Sequence, residues 1–236
     1  TLIGMTIPSA SDDVMTYNKC MSLIDSNPEK AFDIAIEWRD FGGGNPSLHC
    51  VAAALLSLGH YLEAATRLEY LADQPTDNGE LRASLLQQSA QAWVLADNNQ
   101  RAFANLSAAI DMSNNSPKLF LERAVVQANM ELFPGAINDL SKCIKLDPLS
   151  ADAYTFRGSA YRHIDDLDKA LFDLNHALAL EPEHLEARLE RGIVHRLNDD
   201  IILAKKDWMY ILKEVPNSHI SDLVRKNIQL LEVKAD

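Results

Sequence analysis

The stretch from Arg157 to Pro182, RGSAYRHIDDLDKALFDLNHALALEP, is written again from Arg191 to Pro216 as RGIVHRLNDDIILAKKDWMYILKEVP. Both copies carry Arg-Gly at the front, Ala near the middle, Asp three residues on and Pro at the end. The same period run backwards from Gly158 meets Ala124 and Ala90. From Ala170 it meets Ala136 and Ala102, and forwards Ala204; from Pro182 it meets Pro148 and Asn114. A chain with such a period is constrained to stack copies of one supersecondary unit, each burying its apolar face on its neighbours. Small residues recur where two elements must approach closely, and breakers recur where the chain must turn.

Within each copy the apolar spacing is helical. Tyr154, Arg157, Gly158 and Tyr161 fall three and four apart, as do Leu167, Ala170, Leu171, Leu174, Ala177 and Leu178, with IDDLD as the turn between. Ser116-Pro117 reads as an N-cap followed by proline at the first helical position. Asp147-Pro148 and Val215-Pro216 end the helices that precede them.

A pair of antiparallel helices with large, small, Ala and Pro residues in fixed slots resembles the tetratricopeptide repeat. The full period holds from about Pro117 to Pro216. It extends less strictly over 83–116, where Trp93, Ala102 and Ala109 keep their slots, and to LGHYLEAATRLEYL (Leu58 to Leu71). ADQPTDNGE, rich in turn formers, reads as a surface insertion of four residues before the next repeat. The resemblance implies an all-α, right-handed αα superhelix of about six helix pairs plus a C-terminal capping helix. Its parts would be an N-terminal arm at 1–10, a solenoid at 11–216 forming one cooperative domain, and a cap at 217–236. The units fall near 12–44, 45–82, 83–116, 117–150, 151–184 and 185–216. Ile220, Leu223, Val224, Ile228 and Leu231 form the stripe with which the cap covers the last apolar edge.

Most recurring letters read as architecture. Arg123, Arg157 and Arg191 are each followed sixteen residues later by Asp139, Asp173 and Asp207, an offset that joins the two helices of one unit. The expectation is one Arg–Asp bridge per repeat rather than an anion-reading ladder. Gly42–Gly44 lacks the strand and the Lys-Ser/Thr that a phosphate loop needs, and reads as a turn between helix pairs. Trp38, Trp93 and Trp208 fall in core slots. His163 with Asp165, Asp166 and Asp168 sits at an interhelix turn without metal-ligand spacing. No nucleophile elbow is present. The expectation is a non-enzymatic protein with no cofactor and no metal.

Function then falls to the letters that change. In the resemblance, one side of each first helix lines a concave groove that takes a peptide or helix of another protein. Carried onto this chain, that face shows Gln87 and Gln91, then Leu121, Val125 and Asn129. Next come Thr155, Ser159, Arg162 and His163, then Leu189, Ile193 and Arg196. The family's clamp for a C-terminal carboxylate is missing, since its slots hold residues such as Thr16, Cys20, Cys50, Leu121 and Glu122. The alternative is a self-associating structural protein that uses the divergent first repeats or the arm, whose Leu2, Ile3, Met5 and Ile7 form an apolar strip.

A net charge of -12 and a pI near 5.0 match neither a phosphate backbone nor an anionic membrane surface. No apolar run approaches the ~18 residues that cross a bilayer. Three cysteines (Cys20, Cys50 and Cys143) at these spacings speak against a disulfide scaffold or a zinc site, while a single Cys20–Cys50 bridge between neighbouring helices stays open. TLIGMTIPSAS is compatible with the tail of a signal region. With the style of WRDFGGGNPSLHC, similar to bacterial repeat proteins that carry export signals, it favours the periplasm or envelope over the cytoplasm. Free thiols oppose that placement.

Overall fold

The computed structural model describes residues 10–232, all of whose regular structure is helical. The arm falls almost wholly outside that range. The chain divides into two compact units at Asn114/Asn115, inside the polar turn SNNSP.

The first unit contains α1 (Ala10–Leu23), α2 (Pro28–Asp40), α3 (Gly44–Ser57), α4 (Tyr61–Ala72), α5 (Gly79–Leu95) and α6 (Asn99–Met112). The second contains α7 (Pro117–Asn129), α8 (Phe133–Leu146), α9 (Ala151–His163), α10 (Leu167–Leu180), α11 (Leu185–Leu197), α12 (Ile201–Glu214) and α13 (His219–Glu232). Consecutive helices pair within each unit.

From α3 onward the five turns inside the pairs share one solution. Gly59, Asp97, Glu131, Asp165 and Asp199 all take positive φ, from 57° to 81°. At the fourth, the Asp165 N–H donates to Arg162 O at 3.1 Å and the Asp166 N–H to Tyr161 O at 2.9 Å, which satisfies the last carbonyls of α9. Four of the five positions carry a Cβ, at a cost of about 1 kcal/mol each relative to glycine. Side chains then start several of the following helices: Asn98 Oδ1 accepts from Arg101 N, and Asp166 Oδ1 from Lys169 N. Ser116 stands at the N-cap of α7 as its sequence predicts, but its hydroxyl makes no capping bond. Gly42 and Gly43 form the turn that leads into α3 at Gly44, with Gly42 and Gly44 at φ 93° and 55° and Gly43 against the Trp38 ring.

Packing follows the period. Ala102, Ala136, Ala170 and Ala204 are fully buried, and so is Trp208; Trp38 and Trp93 are buried too. Gly158 lets α9 and α10 approach, since a Cβ there would lie 2.8 Å from Leu174 Cγ. The anticipated bridges are all formed, each bidentate from Arg Nε and Nη2 at 2.7–2.9 Å: Arg123–Asp139, Arg157–Asp173 and Arg191–Asp207. In α13, buried Val224 with Ile220, Leu223, Ile228 and Leu231 packs on Trp208, Ile211 and Leu189, so the predicted stripe covers the end of the second unit.

Candidate functional site

In the second unit the first helices of successive pairs, α7, α9 and α11, lie side by side. Between α7, the start of α8 and α9 they leave a cleft of about 530 Å³. Four residues of the predicted face meet there: Val125, Asn129, Ser159 and His163. Phe133 and Phe156 add aromatic walls that the sequence pattern did not mark, Phe133 because it opens a second helix rather than a first. His163 stacks on Phe133, centroids 4.4 Å apart and planes within 6°. Burial, and then the charge of Arg162, hold the His163 pKa below its ordinary value. An Arg162 Nη2 donates to His163 Nε2 at 3.1 Å, which fixes the neutral ring with its proton on Nδ1.

Other members of the predicted face are engaged elsewhere. Arg162 is no free cation: its Nε donates to Glu190 Oε2 at 2.8 Å, tying α9 to α11. Thr155 is buried, and its hydroxyl donates to Ala151 O at 2.9 Å. Leu189, 7% exposed, packs in the core with Trp208 and Val224, and Ile193 leans on the same cluster. Thr155 and Leu189 therefore offer a partner no surface. Leu121 and Arg196 are half-buried, and Arg196 Nε is enclosed without a hydrogen-bond partner. Gln87 and Gln91 lie on α5 in the first unit, the one half-buried and the other exposed.

The first unit holds a second cleft, of about 550 Å³, that the predicted face passes by. Asp13, Val14 and Tyr17 of α1 form one wall, and Asn45, Pro46 and His49 of α3 another. Leu81, Leu85 and Gln88 of α5 form the third, one position round the helix from Gln87 and Gln91. The insertion contributes Gln74, Pro75 and Thr76. A polar chain crosses it: the Tyr17 hydroxyl donates to His49 Nδ1 at 2.9 Å, and His49 Nε2 donates to Gln88 Oε1 at 2.9 Å. Burial raises the Tyr17 pKa, which keeps that hydroxyl protonated. Cys20 and Cys50, one turn from Tyr17 and next to His49, are bridged, with Cα atoms 6.4 Å apart. The pairing left open by the sequence is thus made, and the one free thiol, Cys143, is buried with its pKa pushed up to about 11, first by burial. The insertion was the visible signal for this cleft, because extra chain beside a first helix alters what that helix can expose.

Among the described residues no three His, Cys, Asp or Glu side chains are grouped to hold a metal, and no helix is long and apolar enough to cross a membrane.

The tetratricopeptide-repeat family model matches residues 151–184. Among curated protein sequences, none matches the chain. Several solved structures share its fold. MamA (41-end) from Desulfovibrio magneticus RS-1 is 19% identical with a TM-score of 0.66, over 74% of this chain and 97% of that one. YrrB, described as a TPR protein with an unusual peptide-binding site, is 20% identical with a TM-score of 0.62, over 75% and 90%. The first TPR of Spaghetti (RPAP3), solved with an HSP90 peptide, is 22% identical with a TM-score of 0.50, over 51% and 95%. At these identities the likeness is one of fold: an all-α tetratricopeptide-repeat solenoid.

Proposed function

We propose that this chain, a tetratricopeptide-repeat fold with a matched repeat at 151–184, is a non-enzymatic scaffold that holds a peptide or helix of a partner protein on the first helices of its second unit. The observation that carries the reading is the cleft between α7 and α9, where aromatic and aliphatic walls stand beside the polar groups of Asn129 and Ser159. Apolar side chains of a partner would bury against Phe156 and Val125, while the amide and hydroxyl would meet its backbone. YrrB and the Spaghetti domain, which share the fold, are described with a peptide-binding site and a bound peptide. The neutral His163 stacked on Phe133 fits a binding wall better than a general base, because its Nε2 is already occupied by Arg162.

The Cys20–Cys50 bridge supports an oxidising compartment such as the bacterial envelope, and removes the objection raised by free thiols at those positions.

The test is capture from native cell lysate with the parent chain and with Val125→Arg/Ser159→Arg, both half-buried positions where a long side chain enters the cleft. Thermal melts of both establish that folding survives. A partner held by the parent and lost by the variant is the expected result. A partner held equally by both contradicts the assignment.

A further inference from the structure

The first-unit cleft is built differently from the one just discussed, and nothing in the proposed scaffold reading depends on it. Its walls are fixed from within. The Cys20–Cys50 bridge fastens α1 to α3, and the chain Tyr17–His49–Gln88 links α1, α3 and α5. A ligand entering such a site has little wall ordering to oppose it. The volume, about 550 Å³, is that of a small-ligand or side-chain pocket.

The lining is apolar over most of its extent, through Val14, Pro46, Leu71, Pro75, Leu81 and Leu85. Val14 is 61% exposed and Leu81 50%, so part of this apolar surface lies open. Among the lining residues the one charged side chain is Asp13, and no Lys or Arg reaches the cleft. Asp13 Oδ1 accepts from Trp38 Nε1 at 2.8 Å, which orients the carboxylate; its Oδ2 makes no other hydrogen bond among the described residues. Next to lining residues in the chain stand the exposed Asp77 and Glu80, against a single nearby cation, Arg82, which lies 3.6 Å from Asp73. The whole chain carries a net charge of -12.

From an apolar floor, one oriented carboxylate and an acidic rim we infer that the first-unit cleft binds a peptide segment in which Lys or Arg flanks aliphatic residues. The aliphatic side chains bury against Val14, Pro46 and Leu81, which are exposed at the cleft, and the ammonium or guanidinium donates to Asp13 Oδ2. The acidic rim draws the cation in and repels acidic segments, so charge sets the choice of partner while the apolar floor supplies most of the binding. The chain's own first nine residues, TLIGMTIPS, contain no Lys or Arg side chain.

The experiment uses the full chain and three fluorescein-labelled peptides, GKLVKLG, GQLVQLG and GELVELG, each amidated at its C-terminus and read by anisotropy. The Lys peptide is expected to bind about tenfold more tightly than the Gln peptide and the Glu peptide more weakly still. Asp13→Asn keeps an acceptor for Trp38 and is expected to remove most of the Lys advantage while leaving the Gln peptide unchanged within about twofold. Val14→Arg, at an exposed position where folding is not at stake, is expected to abolish binding of all three. Equal binding of the Lys and Glu peptides, or indifference to both substitutions, overturns the inference. So does a chain lacking residues 1–9 that binds all three peptides equally and more tightly, because that segment would then be the occupant.

Discussion

Arg157 and Asp173 meet face to face across α9 and α10, with Nε and Nη2 donating to Oδ2 and Oδ1 at 2.7 and 2.8 Å. The Asp173 side chain is 1% exposed and that of Arg157 17%. The hydrogen bonds to Asp173 are the main reason the Arg157 pKa is raised. Arg157 Nη1 also donates to Ser141 Oγ at 3.1 Å, so one guanidinium joins two successive repeats. Asp173→Ala strands that cation, and the expected loss in denaturant unfolding is about 3–5 kcal/mol. A loss below about 1 kcal/mol would mark the pair as no more than a surface bridge.

Gly158→Ala places a methyl 2.8 Å from Leu174 Cγ and 3.2 Å from Ala170 O. Despite alanine's better helix propensity, the substitution is expected to cost about 1–3 kcal/mol through separation of α9 and α10. Gly79→Ala serves as the control, since nothing lies within 4 Å of a Cβ there. It is expected to be neutral or slightly stabilising in the same melts.

Much of this was legible in the sequence because a repeat places each letter in the same surroundings several times over. Arg and Asp sixteen apart, Ala at 136, 170 and 204, and Trp208 all occupy environments that the period itself defines. Accessibility was harder to read. Positions 121, 155 and 189 share one register, yet Leu121 is half-buried while Thr155 and Leu189 are buried. Leu189 is closed off by the cap helix α13, and Thr155 turns its hydroxyl back to its own helix. The face one turn further on, at 125, 129, 159 and 163, reaches the cleft. The first-unit cleft escaped because it lies between the insertion and the divergent first repeats, where the period is broken and neighbouring repeats give no guidance.

The Cys20–Cys50 bridge closes a loop with a sequence separation of 30 residues. Cys20→Ala/Cys50→Ala is expected to lower stability by about 3–4 kcal/mol in the chain-entropy account. Hydrogen exchange should locate the effect in α1–α3 and leave α9–α12 unchanged. An unaltered melt under non-reducing conditions would show that the bridge contributes nothing.

Burial lowers the pKa of His195, the largest cause, against a raising contribution from Asp207 and a lowering one from Arg191. A folded-state pKa below the unfolded value means that the unfolded chain binds the extra proton first. Stability is therefore full above about pH 6.5 and falls as pH drops from there towards the folded value. His195→Gln is expected to flatten the difference between melts at about pH 7.5 and about pH 5.5. A slope identical to the parent's would assign the acid sensitivity to other groups.

Docking of a partner between α7 and α9 would register in a hydrogen-exchange footprint of the captured partner on the full chain. The expected result is slowed exchange in α7 and α9, around Val125, Asn129 and Ser159, and no change in α10 and α12. Protection confined to α10 and α12, or none in α7 and α9, would contradict it.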